Sequence, residues 1–298
     1  MNFHRIFFEF LELPQMQRAF LIALIAGPVA GLLGAFITLR RMAFFSDAIS
    51  HAAMTGVTLG FALHLAGDAN DAAMQATLLV FCVVIALVMA WLFERTTLHT
   101  DTVIAFSYTG SVALGVVLIS RLRGYRVLEG ALFGDILAAS GTDVWMIAGL
   151  GVVMVGFLFL NMRALTLSVV QENLAKLEGF NTRRLNYFFV VLIALVVALL
   201  LRQLGALLIS GLIVVPAAAA RIVAGTFRKM LLFSAVFGLL GAAAGVFSSY
   251  HLDTPTGPTI VLGDVAILSV CLAGGMMRRF RSPKPAATAL QGGSLEDR

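Results

Sequence analysis

Apolar runs of about 20 residues, separated by short polar breaks, recur along almost the whole chain, and each is long enough to cross a bilayer as a helix. Nine spans are predicted, at roughly 17–39, 48–66, 72–93, 101–120, 143–161, 186–201, 204–222, 230–249 and 259–277. The second is short and the sixth and seventh nearly abut, so the expected number is eight to nine. Ahead of them Phe3, Ile6, Phe7, Phe10 and Leu13 recur at helical spacing among His4, Arg5, Glu9 and Glu12, the pattern of a short interfacial helix. Two stretches break the rhythm. Residues 124–142 are apolar but Gly-rich and too short to span, which fits a re-entrant or surface segment. Residues 163–185 are a polar connection in which Gln171 to Leu177 reads as a short helix, stopped by Gly179 and Asn181 at C-cap-like positions.

Composition narrows the class. The 298 residues are 60% hydrophobic and 12% charged, with mean hydropathy +0.96. A soluble domain carries about 25% charged residues, so this chain lacks the polar surface to cover a globule in water. An all-α polytopic integral membrane protein follows, because isolated strands cannot satisfy their backbone groups in lipid. The net charge of +5 is not a nucleic-acid signal, since the basic residues sit in short clusters at the ends of apolar runs. Arg40, Arg41, Arg95, Arg163, Lys176, Arg183, Arg184, Arg221, Arg228 and Lys229 gather on alternate connections. The tail adds Arg278, Arg279, Arg281, Lys284 and Arg298, against Arg5, Arg18, Arg121, Arg123, Arg126 and Arg202 on the other side. That asymmetry places the N-terminus outside and the C-terminus in the cytoplasm. Cys82 and Cys271 each fall within an apolar run and imply no disulfide framework. The N-terminus lacks the basic region and small-residue cleavage site of a signal peptide.

Candidate chemistry is sparse. Asp47 and His51 are four residues apart, and on a helix they share one face. An acid and an imidazole in an apolar segment are costly and call for a partner, a water-filled path or a ligand. The pair could equally be a buried hydrogen bond that fastens helices. Asp264 is a second intramembrane acid, placed either to meet cations or to pair with an outer arginine such as Arg202. His64, Asp68, Asp71, His251 and Asp253 read as solvated loop residues, and the scattered methionines as packing. No Gly-x-x-x-x-Gly-Lys-[Ser/Thr], His-Glu-x-x-His, Gly-x-Ser-x-Gly or Cys-x-x-Cys occurs, so the chain cannot cradle ATP phosphates by itself and is not a freestanding enzyme.

Four motifs in register carry a resemblance that covers about residues 17–280. They are Arg40-Arg41-Met42 followed by Asp47-Ala48-Ile49-Ser50-His51; Leu132 to Leu137; Gly205 to Ser210 leading to Val215-Pro216-Ala217; and Asp253-Thr254-Pro255-Thr256-Gly257-Pro258. Together they resemble the permease subunit of metal-ion ABC importers of the zinc, manganese and iron type, and among these the bacterial permeases for high-affinity zinc uptake. Ser46 replaces the family's usual Gly, Tyr108 lies where zinc permeases can carry His, and Asp264 is an added acid. These departures leave the cation open.

The resemblance implies a type II ABC importer permease-like fold in the bacterial plasma (inner) membrane, working as a homodimer. Asp47 and His51 become the metal-contacting pair of the pathway, and two copies supply the four ligands that one chain cannot. Asp264 is a possible pathway acid. A coupling helix at about 168–180, with Glu172, Ala175 and Gly179, is expected to dock on a separate ABC ATPase that holds the ATP. An extracytoplasmic metal-binding protein delivers the cation, Zn2+ or else Mn2+ or Fe2+, and no tightly bound cofactor is expected. The expected organisation is an interfacial segment 1–16, a permease domain 17–280 and a disordered cytoplasmic tail 281–298. A secondary cation transporter or a membrane anchor are the readings from other classes.

Overall fold

The computed structural model describes residues 13–64, 71–122, 132 and 134–281, and the expected interfacial helix and tail lie outside them. Helices follow one another without a strand among the described residues: α1 Pro14–Leu39, α2 Ala43–His64, α3 Asp71–Arg95, α4 Thr100–Leu122, α5 Gly141–Leu160, α6 Met162–Val170, α7 Glu172–Leu177, α8 Thr182–Leu204, α9 Ala206–Val223, α10 Phe227–Leu252 and α11 Thr256–Arg281. A helix stands at each of the nine expected positions, as α1 to α5 and α8 to α11. Seven are long and apolar enough to cross a membrane by composition alone. Of the other two, α9 is 18 residues long and apolar, and α2 is interrupted by Ser46, Asp47, Ser50 and His51. The all-α polytopic class is therefore correct. Most of segment 124–142 lies outside the described residues. Its end is visible as a 3-10 turn, Ile136–Ala138, capped by the Asp135 carboxylate.

The bundle has two groups. One consists of α1, α9, α10 and α11, the other of α2, α3, α4 and α8, with α5 against α1 and α8. Their junction is α2, which touches α3, α4, α8 and α9. In the first group, small residues bring backbones into contact. A Cβ on Gly27 or Gly31 would overlap the carbonyl of Gly238 or Ser234 on α10, and one on Gly34 would overlap that of Ile213 on α9. The Ser234 hydroxyl donates to the Gly31 carbonyl across this seam. Van der Waals contact and interhelical hydrogen bonds are what bind helices in lipid, so this seam is the expected result of small residues at helical spacing. The apolar side chains that α3, α5 and α11 leave exposed have the membrane as their solvent.

Helices α8 and α9 are joined by one residue, Gly205, with φ 76° and ψ 159°. Only glycine enters that region without strain. The loop before α5 fills the angle, with the Asp135 N–H donating to the Arg202 carbonyl at 3.1 Å. A side chain on Gly134 would strike Gly205 itself. Gly205→Ala is expected to cost about 1–3 kcal/mol. A thermal melt of the purified permease in detergent checks this, and an unchanged midpoint would show that the corner relaxes freely.

Candidate metal pathway and coupling face

The α1–α2 corner begins the site. It is a compact turn in which the N–H groups of Arg40, Arg41 and Met42 donate to the carbonyls of Phe36, Thr38 and Ile37. Arg41 adopts φ 58°, and α2 starts at Ala43, five residues earlier than the apolar pattern suggests. Asp47 and His51 therefore stand roughly 6 and 12 Å along α2. Ser46, Ala48, Ile49 and Ser50 are buried, and the Ser50 hydroxyl donates to the Ser46 carbonyl. The pair lies on the remaining stripe, with side chains 35% exposed for Asp47 and 15% for His51.

His51 Nε2 is 3.7 Å from Asp47 Oδ1, too far for a hydrogen bond. Both groups are on one helix, so they do not fasten two helices to each other. The separation is within the ~4.2 Å that two metal–ligand bonds of about 2.1 Å can bridge. The His51 ring meets the edge of Tyr108 on α4 at 4.9 Å and 90°, which orients the imidazole without occupying it. Deeper along α2, the Thr55 hydroxyl donates to the Ser111 carbonyl, and Gly115 allows this close approach of α4. Among the described residues no three acids, histidines or cysteines converge on one point. As a candidate metal site the described part of the chain thus offers two donors, Asp47 and His51.

Asp264 is elsewhere. Its side chain is 1% exposed and lies against the backbone of Gly241 on α10, with no hydrogen-bond partner for either oxygen. The anticipated pairing with Arg202 is not made. Arg202 is exposed near the end of α8, whereas Asp264 faces into the α10–α11 seam. Between α11 and α2 stands α9, which touches both.

The short helix read from residues 171–177 is α7. It ends in a Schellman arrangement, with the Gly179 N–H donating to the Lys176 carbonyl and the Phe180 N–H to that of Ala175. Gly179, at φ 84°, is the residue that stops it. Asn181 acts differently from its expected role: its side chain caps the start of α8 by accepting from the Arg184 N–H. Glu172 pairs with Lys176 at 2.7 Å, and Ala175 is fully buried as the seat of the helix. The sequence pattern did not single out Leu174 and Leu177, 41% and 84% exposed, which are the apolar residues α7 presents outward. Behind α7 a cavity of about 1010 Å³ is lined by Arg40, Arg41, Glu94, Glu172, Lys176 and Arg183. Glu94 holds Arg183 at 2.8 Å and accepts from the Tyr187 hydroxyl at 3.2 Å. Burial pulls the Arg40 guanidinium down to about 10, which still leaves it charged at neutral pH.

A polytopic helical bundle with a polar pair on a half-polar helix, and a short capped helix projecting from one end, defines a transport subunit rather than an enzyme. The chain belongs to the ABC 3 transport family, which matches residues 12–274. It is 34% identical over 257 residues to the high-affinity zinc uptake system membrane protein ZnuB of Haemophilus influenzae, covering 86% of this chain and 94% of that one. It is 32% identical over 257 residues to the manganese transport system membrane protein MntC of Halalkalibacterium halodurans, covering 86% of each. Among solved structures, PsaBC from Streptococcus pneumoniae in complex with Fab superposes with a TM-score of 0.77 at 28% identity, over 91% of this chain and 95% of that one. The protein is thus a multi-pass permease subunit of a metal-ion ABC transporter. ATP hydrolysis belongs to a separate subunit.

Proposed function

We propose that this permease imports zinc across a bacterial plasma membrane, and that Asp47 and His51 contact the ion in transit. The observation that carries the reading is the partly exposed carboxylate–imidazole pair, 3.7 Å apart on one face of a membrane-buried helix and too far apart to hydrogen-bond. Two copies related by a two-fold axis would present two oxygens and two nitrogens, a donor set suited to tetrahedral zinc. Incomplete coordination by each chain keeps the ion exchangeable, as transport requires. Manganese is the second reading, favoured by the manganese relative and by the tolerance of Mn(II) for mixed oxygen and nitrogen donors.

In this reading the end bearing α7 is cytoplasmic, which agrees with the basic residues gathered there, and the outer end receives metal from a binding protein. The ATPase docks on α7. Leu174 and Leu177 supply its apolar contact, Glu172 a charged rim, Ala175 the seat and Gly179 the stop. Asp264 is left out of the pathway in this conformation, since its carboxyl lies in a helix seam. Asp264→Asn is accordingly expected to retain uptake at limiting metal, and loss of uptake in that variant would return the acid to the pathway.

The deciding experiment is uptake by proteoliposomes holding this chain with its ATPase and binding protein, with zinc and manganese in competition. ATP-dependent accumulation of zinc in preference to manganese is the expected result. Preference for manganese would replace the cargo, and accumulation that ignores ATP would sink the importer reading.

A further inference from the structure

Arg40, in the α1–α2 corner, reaches the helices on either side of α7. Its Nη1 donates to Asn186 Oδ1 on α8 at 2.7 Å, and its Nη2 to Ser168 Oγ on α6 at 3.2 Å. Its guanidinium lies 4.6 Å over the ring of Phe189. A cavity otherwise opens between the corner and α7. One planar fork thus grips the helix before α7 and the helix after it, a geometry arginine supplies and lysine does not. The corner behind the fork is stiff, because Arg40, Arg41 and Met42 are each tied back to the last turn of α1 and Phe45 N–H donates to the Met42 carbonyl. A displacement of Arg40 is therefore passed to the start of α2, and from there to Asp47 and His51.

The nearby acids do not hold Arg40. Glu94 is engaged by Arg183 and Glu172 by Lys176, which leaves the fork to two neutral acceptors. Bonds to neutral acceptors are weaker than those to a carboxylate, and Nε, also buried, has no partner among the described residues.

We infer that Arg40 is a positioning residue that transmits movement of the ATPase-docking segment to the metal-bearing helix. The inference rests on the importer reading above. It is tested with the full complex in proteoliposomes, comparing wild type, Arg40→Gln, Arg40→Lys and the pair Ser168→Ala with Asn186→Leu. In Arg40→Gln, ATP-driven zinc uptake is expected to fall about tenfold or more, the loss expected for a charged hydrogen bond. Basal ATP hydrolysis and zinc binding to the permease stay unchanged, while stimulation of hydrolysis by loaded binding protein is lost. The Ser168/Asn186 pair, which cuts the tie from its other end, reproduces this pattern, and Arg40→Lys restores part of the stimulation. Wild-type uptake in Arg40→Gln overturns the inference, as does a loss matched by equal losses of zinc binding or of assembled complex. If the wild-type complex itself shows no ATP-driven uptake, the importer reading fails first and the transmission role with it.

Discussion

Replacing His51 or Asp47 by alanine is expected to reduce metal uptake at least about 100-fold, because even a residue behind a metal ligand can matter ~10–100-fold and these are the proposed ligands themselves. The amount of folded permease in the membrane should not change. Neither side chain makes a hydrogen bond that holds the bundle together, and the main support of His51 is an edge contact with Tyr108. Alanine is also the better helix former at both positions. Two further variants separate charge from coordination. Asp47→Asn keeps the size and one oxygen but removes the charge, so it should bind the ion weakly. His51→Asp gives an all-oxygen pair and should shift preference from zinc towards manganese. Uptake of labelled metal, set against permease abundance by immunoblot, checks each. Normal uptake in both alanine variants would reduce the pair to a helix decoration.

The second large effect is structural. Gly31→Leu is expected to leave no folded permease that survives detergent extraction. Position 31 faces the backbone carbonyl of Ser234, and the atom in the way cannot rotate aside as a flexible side chain would. Overpacking a well-filled interior costs about 1–3 kcal/mol, and more where the obstacle is main chain. The change also separates the Ser234 hydroxyl from the Gly31 carbonyl. Yield of monodisperse protein and resistance to proteolysis are the measurements. A well-behaved Gly31→Leu permease would mean that α1 and α10 can part without loss. By comparison Gly149, with nothing near its missing side chain, should accept alanine unnoticed.

Much of the architecture was legible because lipid enforces it. A span of apolar residues has one solution for its backbone, and the runs at 17–39, 101–120 and 143–161 correspond to α1, α4 and α5 within a few residues. Where polar residues intrude, the pattern misleads. Ser46 and Asp47 suggest a boundary, yet the turn at Arg40–Met42 starts α2 earlier and buries Phe45 fully. Thr182, Arg183 and Arg184 look like loop, yet the Asn181 cap makes them the first turn of α8. The site was legible as far as spacing goes: four residues on a helix place Asp47 beside His51 whatever surrounds them. The partners of Arg40 were not, because Ser168 and Asn186 are 128 and 146 residues away and no local rule joins them. The surroundings of Asp264 were hidden for the same reason, since the glycine it lies against belongs to a different helix.

The polarity of α2 also bears on how the protein is made. A segment enters the membrane from the translocon according to its own hydrophobicity, and polar residues within it lower that tendency. Helix α2 carries Ser46, Asp47, Ser50 and His51 within its first half. Its entry is expected to lean on α1, the two going in as a hairpin whose basic turn at Arg40–Arg41 stays on the cytoplasmic side in the proposed orientation. The residues proposed to meet a metal ion are thus also expected to make the biosynthesis of this helix depend on its neighbours.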